Sequence, residues 1–373
     1  RGPTRSCFRT ARGRAISRAM SKGRKRAART LRGVSDLAAA GFVAEERRAE
    51  WERVAARYAV AITPDLAGLI DPADPGDPIA RQFLPDAREL RRAPEERADP
   101  IGDAAHSRVK GIVHRYPDRV LLTPVHVCPV YCRFCFRREK VGPGGAALSR
   151  AETAAALDYV RAHPEIFEVI LTGGDPLVLS PPKLAALLAA LGAIPHVRVI
   201  RLHTRAPIAQ PAVVTPALAR ALRSEKAVYV VLHCNHPREV TKPLAAAVLR
   251  LLKAGVPVLS QSVLLKGVND DAETLEALFR ALVAARVKPY YLHHPDLAPG
   301  TAHFRTDLAA GRALMRGLRG RLSGLAQPTY VLDVPGGYGK VPVGPAYAEE
   351  KDGAWIVEDP GGKRHRYPPK GGA

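Results

Sequence analysis

The feature that most constrains the fold is a rhythm. Short β-branched or aromatic runs begin at Val120, Val169, Val197, Val228, Pro257 and Tyr290. From the second onward they recur about every thirty residues, the length of one strand–helix unit. Helix signals fill most of the gaps. Ser149 with Glu152 spells a capping box, Ser180-Pro181 opens a helix that Gly192 closes, Thr215-Pro216 opens the next, and Pro243 begins one that ends at Gly255. Such alternation builds an α/β fold, a parallel sheet with helices outside, either a barrel or a doubly wound sheet. In a barrel the chemistry lies at the C-terminal ends of the strands.

Ahead of this core, Trp51, Val54, Ala55 and Tyr58 form one apolar helical stripe, and Thr63-Pro64-Asp65 reads as a helix start. The proline-rich run Asp71 to Pro78 cannot continue a helix and is expected to be an extended connector reaching the core near residue 105.

The net charge of +21 looks like a nucleic-acid signature until it is partitioned. Residues 1–35 hold 12 Lys/Arg and no acid, so the remaining 338 residues carry 45 basic against 36 acidic groups, a net of +9. The excess is mostly a tail, expected to be a disordered basic leader, with Met20 as a plausible start inside it. A basic RNA-binding module would rest on that tail alone, and residues 1–33 offer only Phe8 as an aromatic platform. No run approaches the roughly 18 apolar residues of a membrane span. Five cysteines, three of them within eight residues, are the wrong distribution for a secreted disulfide framework. A cytoplasmic protein with a metal site is expected, with no nucleic acid or membrane as partner.

The first core strand ends in His126-Val127-Cys128-Pro129-Val130-Tyr131-Cys132-Arg133-Phe134-Cys135, a C-x₃-C-x₂-C loop. Three thiolates there can hold three irons of a [4Fe–4S] cluster and leave the fourth open to a small molecule. A three-cysteine zinc site completed by His126 is the alternative, although structural zinc usually spaces its cysteines in pairs. The second strand ends in Thr172-Gly173-Gly174-Asp175, where glycines permit close backbone approach and the acid can accept from an ammonium group. Near the C-terminus, Gly336-Gly337-Tyr338-Gly339-Lys340 reads as a flexible loop presenting an amine, and Val341 breaks the phosphate-loop pattern.

Together these residues resemble the radical S-adenosylmethionine (SAM) superfamily: the cysteine loop with Phe134 before its last cysteine, followed by the Gly-Gly-acid loop. The blocks His114 to Arg119, Arg137, His233 to Pro237, Gln261 to Asp270, Tyr290 to Thr306 and Asp333 to Val343 further resemble the lysine 2,3-aminomutase family, in order, from about residue 35 to about 345. The resemblance implies a partial (β/α) radical-SAM barrel over 106–325, a leader over 1–34, an N-terminal helical segment over 35–105 and a C-terminal segment over 326–373 that carries the lysine for pyridoxal 5′-phosphate (PLP). It implies an isomerase that moves the α-amino group of L-lysine to C3 through a deoxyadenosyl radical. The implied site follows residue by residue. Cys128, Cys132 and Cys135 hold the cluster; Gly173, Gly174, Asp175, His233 and Gln261 line the cofactors; Arg115, Tyr116 and Arg119 hold the PLP phosphate; Lys340 bears PLP. Arg137 clamps the substrate carboxylate, and Asp296 with Asp333 holds its ε-ammonium. An electron donor and a homo-oligomer are implied as partners. With no cysteine after Cys234, no zinc is expected, and Cys7 and Cys234 read as incidental. An aminomutase of the elongation factor P modification pathway, or one acting on glutamate, are the rival substrate readings.

Overall fold

The computed structural model describes residues 29–142 and 144–369. Cys7, Phe8, Met20 and most of the expected leader therefore lie outside the described residues. The boundary expected at residue 34 moves toward the N-terminus, because Leu31 is buried and pairs with Ile62 through reciprocal backbone hydrogen bonds of 2.8 and 3.0 Å.

One sheet of nine strands organises the molecule, in sequential order: β1 (Ile112–Tyr116), β2 (Arg119–Val125), β3 (Glu168–Gly173), β4 (Val199–Thr204), β5 (Ala227–His233), β6 (Val258–Val263), β7 (Lys288–His293), β8 (Thr329–Val334) and β9 (Gly339–Pro342). Neighbours from β2 to β8 pair in parallel, while the edge strands β1 and β9 pair antiparallel. All six runs read from the sequence fall within or against β2 to β7, and β8 adds a seventh parallel strand. The edges do not share a ladder, yet they meet: the backbone N–H of Lys340 on β9 donates to the Tyr116 hydroxyl on β1 at 2.6 Å. The sheet is thus a partial barrel whose gap is bridged by a side chain.

Helices cover the outside because their apolar residues repeat at i, i+3, i+4, i+7. Leu184, Leu187, Leu188 and Leu191 are buried on Pro181–Gly192, and Leu275, Leu278, Phe279 and Leu282 on Ala272–Ala284. The capping box at Ser149 forms as expected, with Glu152 N–H donating to Ser149 Oγ at 3.2 Å and Ser149 N–H to Glu152 Oε2 at 2.7 Å.

Two expectations need correction. The run Asp71 to Pro78 is not extended: Asp71 and Asp74 each accept from a backbone N–H two residues on, and Asp77 caps a helix, Pro78–Phe83, with Pro78 at its first position. The segment 326–373 is not one unit either. Its first part supplies β8 and β9 to the barrel, and its second forms a separate three-stranded antiparallel sheet, β10 (Ala348–Lys351), β11 (Ala354–Glu358) and β12 (Arg364–Tyr367). The lysine expected to bear PLP is therefore on a barrel strand. Among the described residues no helix is long and apolar enough to cross a membrane.

Candidate active site

The partial barrel encloses a cavity of about 550 Å³. Every residue singled out above as a site residue lines it: the three cysteines, Arg115, Tyr116, Arg119, Arg137, Gly173, Gly174, Asp175, His233, Gln261, Asp296, Asp333 and Lys340.

The cysteine loop is held from behind by the N-terminal helical segment. Arg133, between the second and third cysteines, is fully buried and donates from Nε to both oxygens of Glu89 at 2.9 and 3.0 Å and from Nη1 to the Ala59 carbonyl at 2.7 Å. Arg138 shares the same carboxylate and also reaches the Gly300 carbonyl at 3.1 Å. Gln82 accepts from the Arg133 backbone N–H at 2.9 Å. Two guanidiniums on one carboxylate leave a net positive charge behind the thiols. That suits an anionic cluster, because burial raises all three thiols, Cys132 to about 12, while Arg137, Arg138 and Arg205 oppose the rise. Cys128, Cys132 and Cys135 are free and face the cavity. Among the described residues no three His, Cys, Asp or Glu side chains converge on a single-ion position. A cubane differs from zinc in asking each thiolate to reach its own iron, so the donor set fits the cluster.

The Gly-Gly-Asp loop, besides lining the cavity, braces the cysteine loop. A Cβ on Gly174 would lie 2.4 Å from the Val127 carbonyl oxygen, and one on Gly173, whose φ is +100°, would lie 2.8 Å from Thr123 Cβ. The glycines let two protein backbones pass, stitching this loop to the cysteine loop through Gly174 N–H to Val125 O at 2.7 Å and Asp175 N–H to Val127 O at 2.9 Å. The Asp175 carboxylate accepts from Thr204 Oγ1 at 2.7 Å and from the N–H groups of Leu177, Arg205 and Ala206 at 3.0, 2.8 and 2.8 Å. Both oxygens serve the protein, and the carboxylate fastens the end of β3 to that of β4.

The lysine end is assembled from several strands. Asp333 on β8 lies opposite Lys340 on β9, and its carboxylate pairs with the Lys340 ammonium. His293 at the end of β7 completes the group, its Nδ1 lying 3.2 Å from Lys340 Nζ and 3.5 Å from Asp333 Oδ2. Burial alone would raise Asp333, but the adjacent His293 imidazole and the Lys340 charge overcome it and hold the group well below the usual carboxylate range. Asp296 is the opposite case. Burial, reinforced by the nearby Asp333 charge, pushes it up to about 7, and its Oδ1 has no hydrogen-bond partner. The glycines before Lys340 form a tight turn instead of a free loop: Gly336, Gly337 and Gly339 take φ of +97°, +89° and +98°, and His106 Nε2 contacts the Gly337 carbonyl at 3.1 Å.

Where β1 turns into β2, Arg119 stacks on the Tyr116 ring at 3.7 Å. Arg115 donates to Ile101 O at 2.7 Å and to Asp103 Oδ1 at 2.9 Å, while Arg137 donates to Asp103 Oδ2 at 2.6 Å. One carboxylate thus orients the arginine expected at the phosphate and the arginine expected at the substrate carboxylate, and unpaired guanidinium N–H capacity remains. Together with an amine on a barrel strand, this is a donor set that fits PLP.

Sequence reasoning missed Glu89, Arg133 and Arg138 behind the cluster, Asp103 between the arginines, and His203 and His293 in the wall. Arg133 carried a signal, since it sits inside the cysteine motif. His203 ends a β-run as His233 does. Asp103 carried none.

A family model for the radical SAM superfamily matches residues 122–278, and one described as Lysine-2,3-aminomutase matches 315–354. The chain is 43% identical over 288 residues to L-lysine 2,3-aminomutase of Clostridium subterminale, covering 77% of this chain and 69% of that one. It is likewise 43% identical to the L-lysine 2,3-aminomutase of Acetoanaerobium sticklandii, over 77% of this chain and 70% of that one. A glutamate 2,3-aminomutase from Clostridioides difficile is 38% identical over 82% of this chain and 72% of its own. The chain belongs to the lysine 2,3-aminomutase family of the radical SAM superfamily, isomerases whose cofactors are a [4Fe–4S] cluster, SAM and PLP.

Proposed function

We propose that this enzyme converts L-lysine to β-lysine, with Lys340 bearing PLP, Arg137 binding the substrate carboxylate and Asp296 with Asp333 receiving its ε-ammonium. The cofactors supply the radical and the electron sink; the protein supplies position, charge and exclusion of water. Cys128, Cys132 and Cys135 hold the cluster at one end of the cavity, and Arg115, Tyr116 and Arg119 hold the PLP phosphate, with His233 and Gln261 in the wall between.

The observation that carries the substrate reading is the occupancy of Asp333. It already binds an alkyl ammonium, that of Lys340, which is the group a lysine side chain presents. Beside it stands the buried, unpartnered carboxyl oxygen of Asp296. Desolvating an ammonium costs several kcal/mol, so two acids around it favour lysine. A glutamate side chain brought there would meet like charge.

Activity with lysine and with glutamate, assayed anaerobically after reconstitution, tests this. Asp296→Asn and Asp333→Asn should each lower kcat/KM for lysine by roughly 10²–10³-fold, the factor expected when a buried ion loses its partner. Normal lysine kinetics in both variants, or a wild type that prefers glutamate, rejects the reading.

A further inference from the structure

We propose that His293 is a catalytic base for Lys340, its Nδ1 taking a proton from the Lys340 ammonium when that amine bonds to PLP and returning it when the substrate amine displaces Lys340. The inference rests on the reading of Lys340 as the PLP-bearing residue.

The geometry comes from three strands. Lys340 Nζ on β9 lies 3.2 Å from His293 Nδ1 on β7, and Asp333 on β8 contacts Nζ and lies 3.5 Å from Nδ1. An ammonium only donates, so Nδ1 accepts in this arrangement and the ring proton resides on Nε2. Nε2 is buried and has no other partner among the described residues. An ammonium has no lone pair and cannot attack carbon, so Lys340 must lose a proton before it can bond. In the transfer one Nζ–H bond breaks and one Nδ1–H bond forms. The positive charge moves from lysine to imidazole, and Asp333 lies within reach of it before and after. No oxidant or reductant is needed.

The surroundings favour the ring as acceptor. Asp333 is held anionic by its two partners and is a weak base. His293 is kept neutral by burial and by the Lys340 charge, against the opposing pull of Asp333. The other titratable groups facing it are Tyr291 on its own strand, ring to ring at 5.7 Å, and His203 and His233 from β4 and β5, both held neutral by burial.

The test needs no radical turnover. PLP-loaded full-length enzyme, without SAM or reductant, is mixed with lysine, and the absorbance change as PLP passes from Lys340 to the added amine is followed by stopped flow between pH 5 and 9. Wild-type exchange should rise on the acid side as His293 loses its proton. His293→Gln, which keeps a hydrogen-bonding side chain but no basicity, should retain PLP, exchange at least about tenfold more slowly and lose that acid-side rise. Added imidazole should accelerate His293→Gly. A rate and pH profile in His293→Gln matching the wild type, or no response of His293→Gly to imidazole, overturns the assignment. A lysine-bound PLP band that persists in Lys340→Ala overturns the reading of Lys340 itself, and the base with it.

Discussion

The two ends of the cavity are built on opposite plans. Behind the cysteine loop the buried charges are matched, Arg133 and Arg138 on Glu89 and Asp175 on four donors of its own protein, and the buried atoms left without a partner are mainly donors, Arg138 Nε and Arg205 Nε and Nη1. At the lysine end the buried atoms left over are of another kind, a carboxyl oxygen and imidazole nitrogens: Asp296 Oδ1, His293 Nε2 and His203 Nε2. A resident cluster needs thiolates fixed in place, and a shell of paired charges braces them. An exchanging substrate needs groups that still lack partners, and their unmet bonding is recovered only on binding. The two ends thus differ in the chemistry of what is left over, guanidinium donors at one and an acid with imidazoles at the other.

The largest expected effects break the comparison into halves. Replacing Cys128, Cys132 or Cys135 with Ala should reduce deoxyadenosine formation from SAM to background while the lysine-bound PLP absorbance persists. Lys340→Ala should do the reverse, losing the band and lysine turnover while iron content stays and SAM is still cleaved. Iron analysis, absorbance and deoxyadenosine assay on the same preparations check both arms. A cysteine triple variant that still makes deoxyadenosine would show that the cluster lies elsewhere.

The same contrast explains what could be read from the sequence. The cluster loop lies within eight residues, so spacing pointed to three irons with zinc as the alternative, and the strand–helix rhythm pointed to a parallel α/β sheet that the family resemblance narrowed to a partial barrel. The lysine end joins Asp296, Asp333 and Lys340 with His293, residues spread over nearly fifty positions. Nothing local marks an acid that lands opposite a lysine across an antiparallel edge, and only family resemblance found the three. Asp103 and Glu89 stayed invisible for a related reason. Each is an ordinary acid in a helical or turn context, Glu89 within a capping box, until folding brings it to arginines 12 to 49 positions away. The Gly-Gly-Asp motif was legible, but its second role was not, because sequence does not show that its glycines also admit a neighbouring strand or that Asp175 fastens β3 to β4.

An effect on stability sharpens the contrast at the braced end. Among the described residues Glu89 is the only carboxylate paired with the buried guanidiniums of Arg133 and Arg138. Glu89→Gln leaves both without a counter-charge, and breaking a buried ion pair on one side costs about 3–5 kcal/mol. The melting temperature should fall by several degrees, and less iron should be retained after reconstitution. Cofactor-free Asp296→Asn should instead match or exceed the wild type, since it removes a carboxyl that burial penalises. If Glu89→Gln melts and loads iron like the wild type, the brace behind the cluster is dispensable.

The smallest expected effect concerns protons at the lysine end, and the two acids should differ in it. Asp333 is held below the ordinary range and stays ionised throughout neutral pH. Asp296 is raised to about 7 by burial and then by the Asp333 charge, so in the empty site it is protonated below that pH and charged above it. An ammonium binds the ionised form. Affinity should therefore rise with pH up to about 7 and level off above it, changing by about tenfold per pH unit well below the midpoint. The cleanest probe is 6-aminohexanoate, which keeps lysine's carboxylate and ε-ammonium but lacks the α-amine, so it cannot exchange at Lys340 through that group. Its inhibition constant against lysine, measured from pH 5.5 to 8.5, should show this dependence in the wild type and lose it in Asp296→Asn, where the side chain no longer titrates. Asp333→Asn removes the like charge that helps to raise Asp296 and should move the midpoint toward lower pH. A flat profile in the wild type would mean that Asp296 is already ionised in the empty cavity, and the asymmetry between the two acids would then be absent.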